Sequence, residues 1–179
     1  MKPTETIPLF DAFLANRGLK LEAIATGGAA LALLRIINRE TRDCDLIEPE
    51  LSAEVLAAAA AFAEALRESG EILRDDWLNN GPASLGELLP EGWRGRLQPI
   101  YQGRALRLWT LGRPELLLSK LFALCDRGLD LGDCLALCPS PEELVQAETW
   151  IADQDLHPDW PAHVRATLQD LAGRLGHGL

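Results

Sequence analysis

Residues 23–48 read AIATGGAALALLRIINRETRDCDLIE, and this stretch decides the fold that we expect for the chain. An apolar, strand-like run ends at Gly27 and Gly28, and leucines and isoleucines at helical spacing follow at once. Glycine lets phosphate oxygens approach the main chain closely, and the unpaired N–H groups of a first helical turn favour negative charge. The stretch therefore predicts a phosphate-binding turn between a strand and a helix.

A short strand is predicted over 42–47, and it carries Asp43 and Asp45. Side chains alternate along a strand, so we expect both carboxylates on the same face. Mg²⁺ is a hard cation that usually takes one or two protein carboxylates plus substrate phosphates. The two aspartates therefore predict a metal site beside the glycine turn. The alternative is a solvated strand edge next to a tight turn that binds no ligand.

Three motifs of this chain recur together in a known group of proteins. They are Gly27-Gly28-Ala29-Ala30-Leu31, Arg39-Glu40-Thr41-Arg42-Asp43-Cys44-Asp45 and Lys120-Leu121. Over residues 20–138 the chain resembles the nucleotidyltransferase superfamily of the polymerase-beta type. The resemblance is strongest to a small bacterial branch that includes abortive-infection-type nucleotidyltransferase toxins and uncharacterised relatives.

The resemblance implies an enzyme that transfers a nucleoside monophosphate from a nucleoside triphosphate (NTP) to a hydroxyl acceptor. Asp43 and Asp45 would bridge Mg²⁺ or Mn²⁺ ions in a two-metal arrangement, and both would be catalytic. Gly27 and Gly28 would bind the phosphates. Many relatives carry serine where Gly28 stands, so here backbone amides would do that work. The acceptor could be RNA or a protein, and a protein partner is also possible.

Lys120 lies in an apolar helical pattern over 116–124, so its ammonium must reach water or meet a buried anion. In the toxin-like relatives a Lys-Leu helix, a later arginine and spaced aspartates serve the triphosphate, and Lys120, Arg127, Asp130 and Asp133 match that spacing. The resemblance makes Lys120 and Asp130 catalytic, Arg127 a phosphate ligand and Asp133 a metal ligand. The alternative makes Asp130 a helix N-cap and Asp133 a complement to the helix dipole.

One departure from the superfamily pattern concerns the third carboxylate. Members of the superfamily usually bring it from a later central strand, whereas residues 104–110 contain no acidic side chain. Asp75, Asp76, Asp130 or Asp133 would have to substitute. Two alternatives to an enzyme therefore stay open. The chain could be a catalytically weak nucleotide-binding protein, or a protein-interaction module such as one member of a toxin–antitoxin-like pair.

The formal net charge of −10 argues against broad affinity for nucleic acid, which depends on Lys and Arg neutralising phosphates. Five arginines nevertheless cluster on and beside a predicted hairpin, with aromatic residues between them: Arg94, Arg96, Arg104, Arg107 and Arg113, with Trp93, Tyr101 and Trp109. Arginines with aromatic rings suit single-stranded RNA or a tRNA end. The same residues could equally form the solvated face of the hairpin.

Composition and periodicity predict one α/β (α+β) protein with a mixed central sheet flanked by helices. We expect a nucleotidyltransferase-like part over 1–112 and a helical part over 113–179 packed on it. The predicted strands cover 21–25, 42–47, 71–78, 95–101 and 104–110. The predicted helices include 5–17, 52–69, 114–127, 141–153 and 160–173, with others starting at Gly28 and Asp130.

The expected location is the cytoplasm, because the sequence contains neither an apolar run near eighteen residues nor a basic-then-apolar N-terminus. No interaction with a membrane is expected. The four cysteines are predicted to be reduced, small and buried, and a zinc site is not expected from their spacing: Cys44, Cys125, Cys134 and Cys138.

Overall fold

The computed structural model describes residues 2–177, and within them five strands form one sheet. The strands are β1 (Leu21–Thr26), β2 (Cys44–Glu48), β3 (Leu78–Asn79), β4 (Gln98–Gln102) and β5 (Leu106–Thr110). The helices are α1 (Pro3–Asn16), α2 (Gly27–Leu33), α3 (Ala53–Glu68), α4 (Leu85–Leu88), α5 (Arg113–Arg127), α6 (Leu131–Leu137), α7 (Pro141–Ala152) and α8 (Trp160–Leu175). This part of the chain divides into two compact units, and the boundary between them lies after Gly112.

The sheet belongs to the first unit, and its strand order is β3-β2-β1-β5-β4. The central strand β1 pairs antiparallel with β2 and parallel with β5. At the two sides, β3 runs parallel to β2 and β4 runs antiparallel to β5. The predicted fold class, a mixed sheet flanked by helices, is confirmed.

One face of the sheet packs on α1 and α3 through an apolar core. Along β1 the side chains of Leu21, Ala23 and Ala25 belong to this core. An aromatic group closes it, because the ring centroid of Phe10 lies 5.2 Å from that of Phe62 and 5.0 Å from that of Trp77. The other face of β1 carries Glu22, Ile24 and Thr26, because side chains alternate along a strand.

The predicted strand over 71–78 is wrong except at its last residue. The Arg67 guanidinium donates to the Leu73 carbonyl at 2.7 Å and to the Asp75 carboxylate at 2.7 Å. The Trp77 indole is fully buried and donates to the Ala59 carbonyl at 3.1 Å. Contacts with α3 and with the core therefore hold this segment in an irregular conformation. The local sequence alone does not reveal these contacts.

Helix α2 ends at Leu33, although the apolar pattern of the sequence continues to Ile37. Arg35 adopts a left-handed conformation with φ of 61°. The N–H groups of Ile36 and Ile37 both donate to the Leu31 carbonyl, which closes the last turn. The two consecutive β-branched residues disfavour a longer helix.

In the second unit, the capping box predicted before α7 is confirmed. The Ser140 hydroxyl accepts from the Glu143 N–H, and the Glu143 carboxylate accepts from the Ser140 N–H at 2.9 Å. Glu143 also forms a two-bond ion pair with Arg113 at the start of α5, at 2.8 and 3.0 Å. This end of α7 is therefore tied to α5.

The cysteine prediction holds at three of four positions. Cys44, Cys125 and Cys134 are buried free thiols, whereas Cys138 is exposed. Cys138 caps the C-terminus of α6 with φ of 48°, which places it outside the helix and its apolar face. Among residues 2–177, every helix is too short or too polar to cross a membrane.

Candidate functional site

The glycine turn and the Asp-x-Asp strand meet at one end of the β1–β2 pair. Thr26, the last residue of β1, is the Cα partner of Asp45 on β2, and Gly27 follows it directly. A Cβ atom built on Gly27 would lie only 2.9 Å from Asp45 Oδ2, and Gly27 has φ of +71°. Both the backbone conformation and the close carboxylate therefore require glycine at this position.

Gly28 is enclosed by the segment that leads into β2. A Cβ atom there would lie 2.9 Å from Thr41 Cγ2 and 3.4 Å from Arg39 Nη2. Thr41 is buried, and its hydroxyl donates to the Asp43 carbonyl at 3.2 Å. Three of the four alternating residues of the Arg-x-Thr-x-Asp-x-Asp segment thus reach the glycine turn: Arg39, Thr41 and Asp45. The spacing of Arg39 and Thr41 in this motif was a usable signal for their position.

Asp43 and Asp45 flank Cys44, which is fully buried, while both aspartates remain partly exposed. Burial raises the pKa of the Cys44 thiol to about 12, and the charges of Asp45 and Asp43 add to this effect. The thiol therefore stays protonated at neutral pH and is a poor metal ligand. The accessible side chains here, Asp43 and Asp45, therefore offer hard oxygen ligands and not sulfur.

The strand on the other side of β2 presents an amide next to Asp45. Asn79 on β3 is the second Cα partner of Asp45, and its Oδ1 accepts from the Gly81 N–H at 2.7 Å. The position of Asn79 beside the candidate site is not predictable from the local sequence. A two-residue strand has too few positions to show the alternation by which strands are recognised.

The carboxylates considered as a third ligand are already engaged in ion pairs. Asp75 pairs with Arg67, and Asp76 accepts two hydrogen bonds from Arg74 at 2.7 and 2.6 Å. The hydrogen bonds that Arg74 donates to Asp76 raise the pKa of Arg74, and the charge of Asp43 adds to that shift. Across residues 2–177, no three His, Cys, Asp or Glu side chains are grouped to hold a metal.

Lys120 meets its buried anion inside the second unit. Its Nζ atom lies 2.8 Å from Asp133 Oδ2 and 3.1 Å from Asp130 Oδ2, and Lys120 is only 4% exposed. Asp130 does occupy the N-cap position of α6, but its carboxylate pairs with Lys120 rather than capping the helix. The three side chains together carry one excess negative charge. Their catalytic and metal-binding roles stay predictions.

Arg127 is the last residue of α5 and is exposed. Its Nε atom lies 3.5 Å from a carboxylate oxygen of Asp126. Gly128 follows with φ of +65°, so the helix ends there. The predicted role of Arg127 in phosphate binding likewise stays a prediction.

The arginines near the hairpin are largely paired with carboxylates. The pairs are Arg94 with Glu48 at 3.0 Å, Arg107 with Glu22 at 4.0 Å and Arg113 with Glu143 at 2.8 Å. Of the aromatic residues, Trp93 is 3% exposed and donates to the Gly86 carbonyl. These pairs favour the solvated-face interpretation over an RNA-binding surface.

Three features together define a nucleotidyltransferase-like α/β protein: the strand order, the Gly-Gly turn after the central strand, and an Asp-x-Asp pair at the start of its antiparallel neighbour β2. The family model described as nucleotidyltransferase of unknown function (DUF6036) matches residues 9–134, and the chain belongs to that family. The superfamily assignment is therefore confirmed, while the toxin-like branch stays a prediction. No curated protein and no solved structure matches the chain.

Proposed function

We propose that this protein transfers a nucleoside monophosphate from an NTP to a hydroxyl acceptor. One observation carries the proposal: the Asp45 carboxylate lies against Gly27, at the distance where a Cβ atom would collide with it. A phosphate that approaches the glycine turn would therefore also approach the Asp45 carboxylate. Family membership supports the reaction class, and this contact supports Gly27 and Asp45 as residues of the proposed site.

The donor set fits a divalent cation of the Mg²⁺ type. Asp45 on β2 and Asp43 directly before it are both partly exposed and supply carboxylate oxygens, and Mg²⁺ usually binds through one or two carboxylates, waters and substrate phosphates. Two protein ligands are thus sufficient without a third carboxylate. When bound, the cation would offset negative charge on the phosphates and polarise the phosphoryl oxygens.

The residues of the glycine turn would bind and orient the triphosphate. Gly27 and Gly28 would admit phosphate oxygens to the main chain, and the Arg39 guanidinium beside Gly28 would add positive charge. Lys120 and Arg127 are proposed as further phosphate ligands on the basis of the motif spacing. Asp133 would hold the Lys120 ammonium that it already contacts, and the more exposed Asp130 would give up its contact with Lys120 when a phosphate binds.

A catalytically weak nucleotide-binding protein is the second candidate. It is favoured by the composition of the site, since β3 places Asn79 and not a carboxylate beside Asp45. Such a protein would act through a partner, as in a toxin–antitoxin-like pair. Both candidates require Mg²⁺-dependent NTP binding, and only one requires turnover.

Binding can be tested by thermal denaturation with each of the four NTPs, with and without Mg²⁺. An NTP at a hundred times its Kd adds about 2.7 kcal/mol of stability, which raises Tm by roughly 5–10 °C in a chain of this size. We expect this shift in the wild type with Mg²⁺ and its loss in Asp43→Asn/Asp45→Asn. Asp75→Asn is the matched control, because it removes an exposed carboxylate from the same unit. An equal shift in the double variant would contradict the proposed site.

Turnover can be tested by incubating the protein with α-³²P-labelled NTPs and candidate acceptors. We expect label transfer to an RNA or protein acceptor, with pyrophosphate released, and no transfer by the double variant. Mg²⁺-dependent binding without label transfer to acceptors in a total cell extract would favour the nucleotide-binding protein.

A further inference from the structure

A cavity of about 610 Å³ opens on the sheet of the first unit, and the function proposed above does not use it. Its lining includes Glu22, Ile24, Glu48, Arg94, Leu97 and Trp109. We call it the Trp109 pocket. Its volume falls within the range of pockets that hold small organic ligands of nucleoside size.

Strand register places the Trp109 pocket on the same face as Asp45. Ile24 is the Cα partner of Glu48 on β2 and of Trp109 on β5, so these three side chains share one face of the sheet. The β1–β2 register shifts by one residue between Ile24 and Ala25, so that two residues further along β1 Thr26 is the partner of Asp45. Two residues of a strand span about 7 Å, so the backbone at Ile24 in the pocket lies roughly that far along β1 from the Thr26–Asp45 pair.

The walls of the pocket suit a flat, uncharged ring with N–H groups at its edge. The Trp109 indole N–H donates to Glu22 Oε1 at 3.2 Å, which fixes the orientation of the indole plane. Ile24 and Leu97 supply aliphatic surface next to it. Carboxylates of Glu22 and Glu48 offer hydrogen-bond acceptors, and every nucleobase carries at least one N–H donor.

The charges of the pocket argue against a phosphate as its ligand. Arg94 is the cation in the lining, and Glu48 already accepts two hydrogen bonds from it at 3.0 and 3.1 Å. The Arg94 guanidinium also lies over the Trp93 ring, 4.4 Å from its centroid. Because the lining carries two carboxylates and one guanidinium, a phosphate in this pocket would be repelled. A neutral ring would not be.

We propose that the Trp109 pocket binds the nucleobase of a nucleotide whose phosphate lies at the Asp43/Asp45 site, an inference that rests on the proposed function. The nucleotide is either the incoming NTP or the terminal nucleotide of the acceptor. Base-to-aromatic stacking is worth roughly 5- to 150-fold in affinity per base. The spacing of about 7 Å along β1 from the Thr26–Asp45 pair matches a ligand that spans from its base to its phosphates.

The test separates the base from the phosphates by calorimetric titration with two ligands. Mg²⁺-NTP contacts both sites, whereas Mg²⁺-tripolyphosphate contacts only the phosphate site. We expect Trp109→Leu to weaken NTP binding by 5- to 150-fold and to leave tripolyphosphate binding unchanged, which also shows that the variant is folded. Trp150→Leu is the matched control, since Trp150 is a half-buried tryptophan of the second unit.

Equal NTP affinity in Trp109→Leu and the wild type would overturn the pocket proposal and leave the proposed function standing. The double variant Asp43→Asn/Asp45→Asn tests the proposed function and not the pocket, and we expect it to lose binding of both ligands. A second readout covers the case in which the wild type binds neither ligand. The indole N–H signal of Trp109, identified by its disappearance in Trp109→Leu, should shift in NMR spectra when a nucleotide is added.

The same signal identifies the source of the base. A shift that requires Mg²⁺-NTP and intact Asp43 and Asp45 assigns the pocket to the donor nucleotide. A shift with a dinucleotide that carries a free 3′-hydroxyl, without metal, assigns it to the acceptor. An unshifted Trp109 signal with all four NTPs and with dinucleotides at millimolar concentration would overturn the proposal.

Discussion

Replacing Asp11 with alanine should destabilise the first unit far more than an average substitution. Asp11 lies on α1, is 7% exposed and accepts hydrogen bonds from three consecutive backbone N–H groups, two in the connection between β4 and β5 and one at the start of β5. The distances are 3.1 Å from Arg104, 2.8 Å from Ala105 and 2.7 Å from Leu106. One carboxylate thus ties α1 to the β4–β5 hairpin.

The magnitude follows from the number and burial of these bonds. Hydrogen bonds to a charged group contribute about 1.5–3 kcal/mol each, and two of the three donors are buried. Removing the acceptor leaves those two N–H groups without their partner, so we expect a loss of about 3–5 kcal/mol. For a chain of this length such a loss lowers Tm by roughly 10 °C.

The pH dependence gives the prediction a second signature. Burial opposes ionisation of Asp11, but the hydrogen bonds from Ala105, Leu106, Arg104 and the Tyr101 hydroxyl outweigh it, and the pKa of Asp11 is lowered. Because the folded pKa is below the unfolded one, this stabilisation is fully present above the unfolded pKa. It is lost as pH falls through the folded pKa, which places the window below about pH 4.

The measurement is urea unfolding of the wild type and of Asp11→Ala at pH 7 and at several values below pH 4. Asp170→Ala is the matched control, since Asp170 forms an exposed i,i+4 pair with Arg174 and should change stability by less than 1 kcal/mol. The free-energy difference between wild type and Asp11→Ala should narrow as the pH falls. A difference below 1 kcal/mol at pH 7, or one independent of pH, would refute the reasoning.

Two further predictions concern the candidate site and the buried lysine. Gly27→Ala should weaken Mg²⁺-tripolyphosphate binding by at least tenfold, because the new Cβ collides with Asp45 Oδ2 and φ is positive; calorimetry that shows unchanged affinity would contradict this. Lys120→Ala should destabilise the second unit by about 3–5 kcal/mol, because it removes the cation that lies 2.8 Å from the buried Asp133 carboxylate. Adding Asp133→Ala should recover much of that loss in urea unfolding, and no recovery would argue against the charge explanation.

The sequence was sufficient to predict the centre of the sheet because its information there is local. Gly27 and Asp45 are eighteen positions apart, and a strand, a glycine turn, a short helix and a second strand leave few ways to connect them. The conformation of Gly27 and the alternation around Cys44 both follow from neighbouring residues. The hairpin of β4 and β5 was predictable for the same reason, since Leu106 and Leu108 alternate with Arg107 and Trp109.

The features that the sequence did not reveal depend on contacts between distant segments. Asp11 lies more than ninety positions from the N–H groups that it binds, and nothing in its neighbourhood distinguishes it from a solvated helix residue. The irregular path over 71–78 depends on Arg67 and on the buried Trp77 indole. Asn79 pairs with Asp45 through a strand too short to have a periodicity. In each case the cause is tertiary.

The burial of Lys120 limits the way in which it could bind a phosphate. With two carboxylates within 3.1 Å, the cluster has a net negative charge and would repel a triphosphate as it stands. The two acids differ, however, because the Asp130 side chain is 26% exposed and that of Asp133 is 2% exposed. Asp130 can turn toward water at small cost, whereas Asp133 cannot lose its cation without a large desolvation penalty. A phosphate that binds Lys120 would therefore replace Asp130 and leave the contact with Asp133 intact, so Asp130→Asn should strengthen such binding and Asp133→Asn should not.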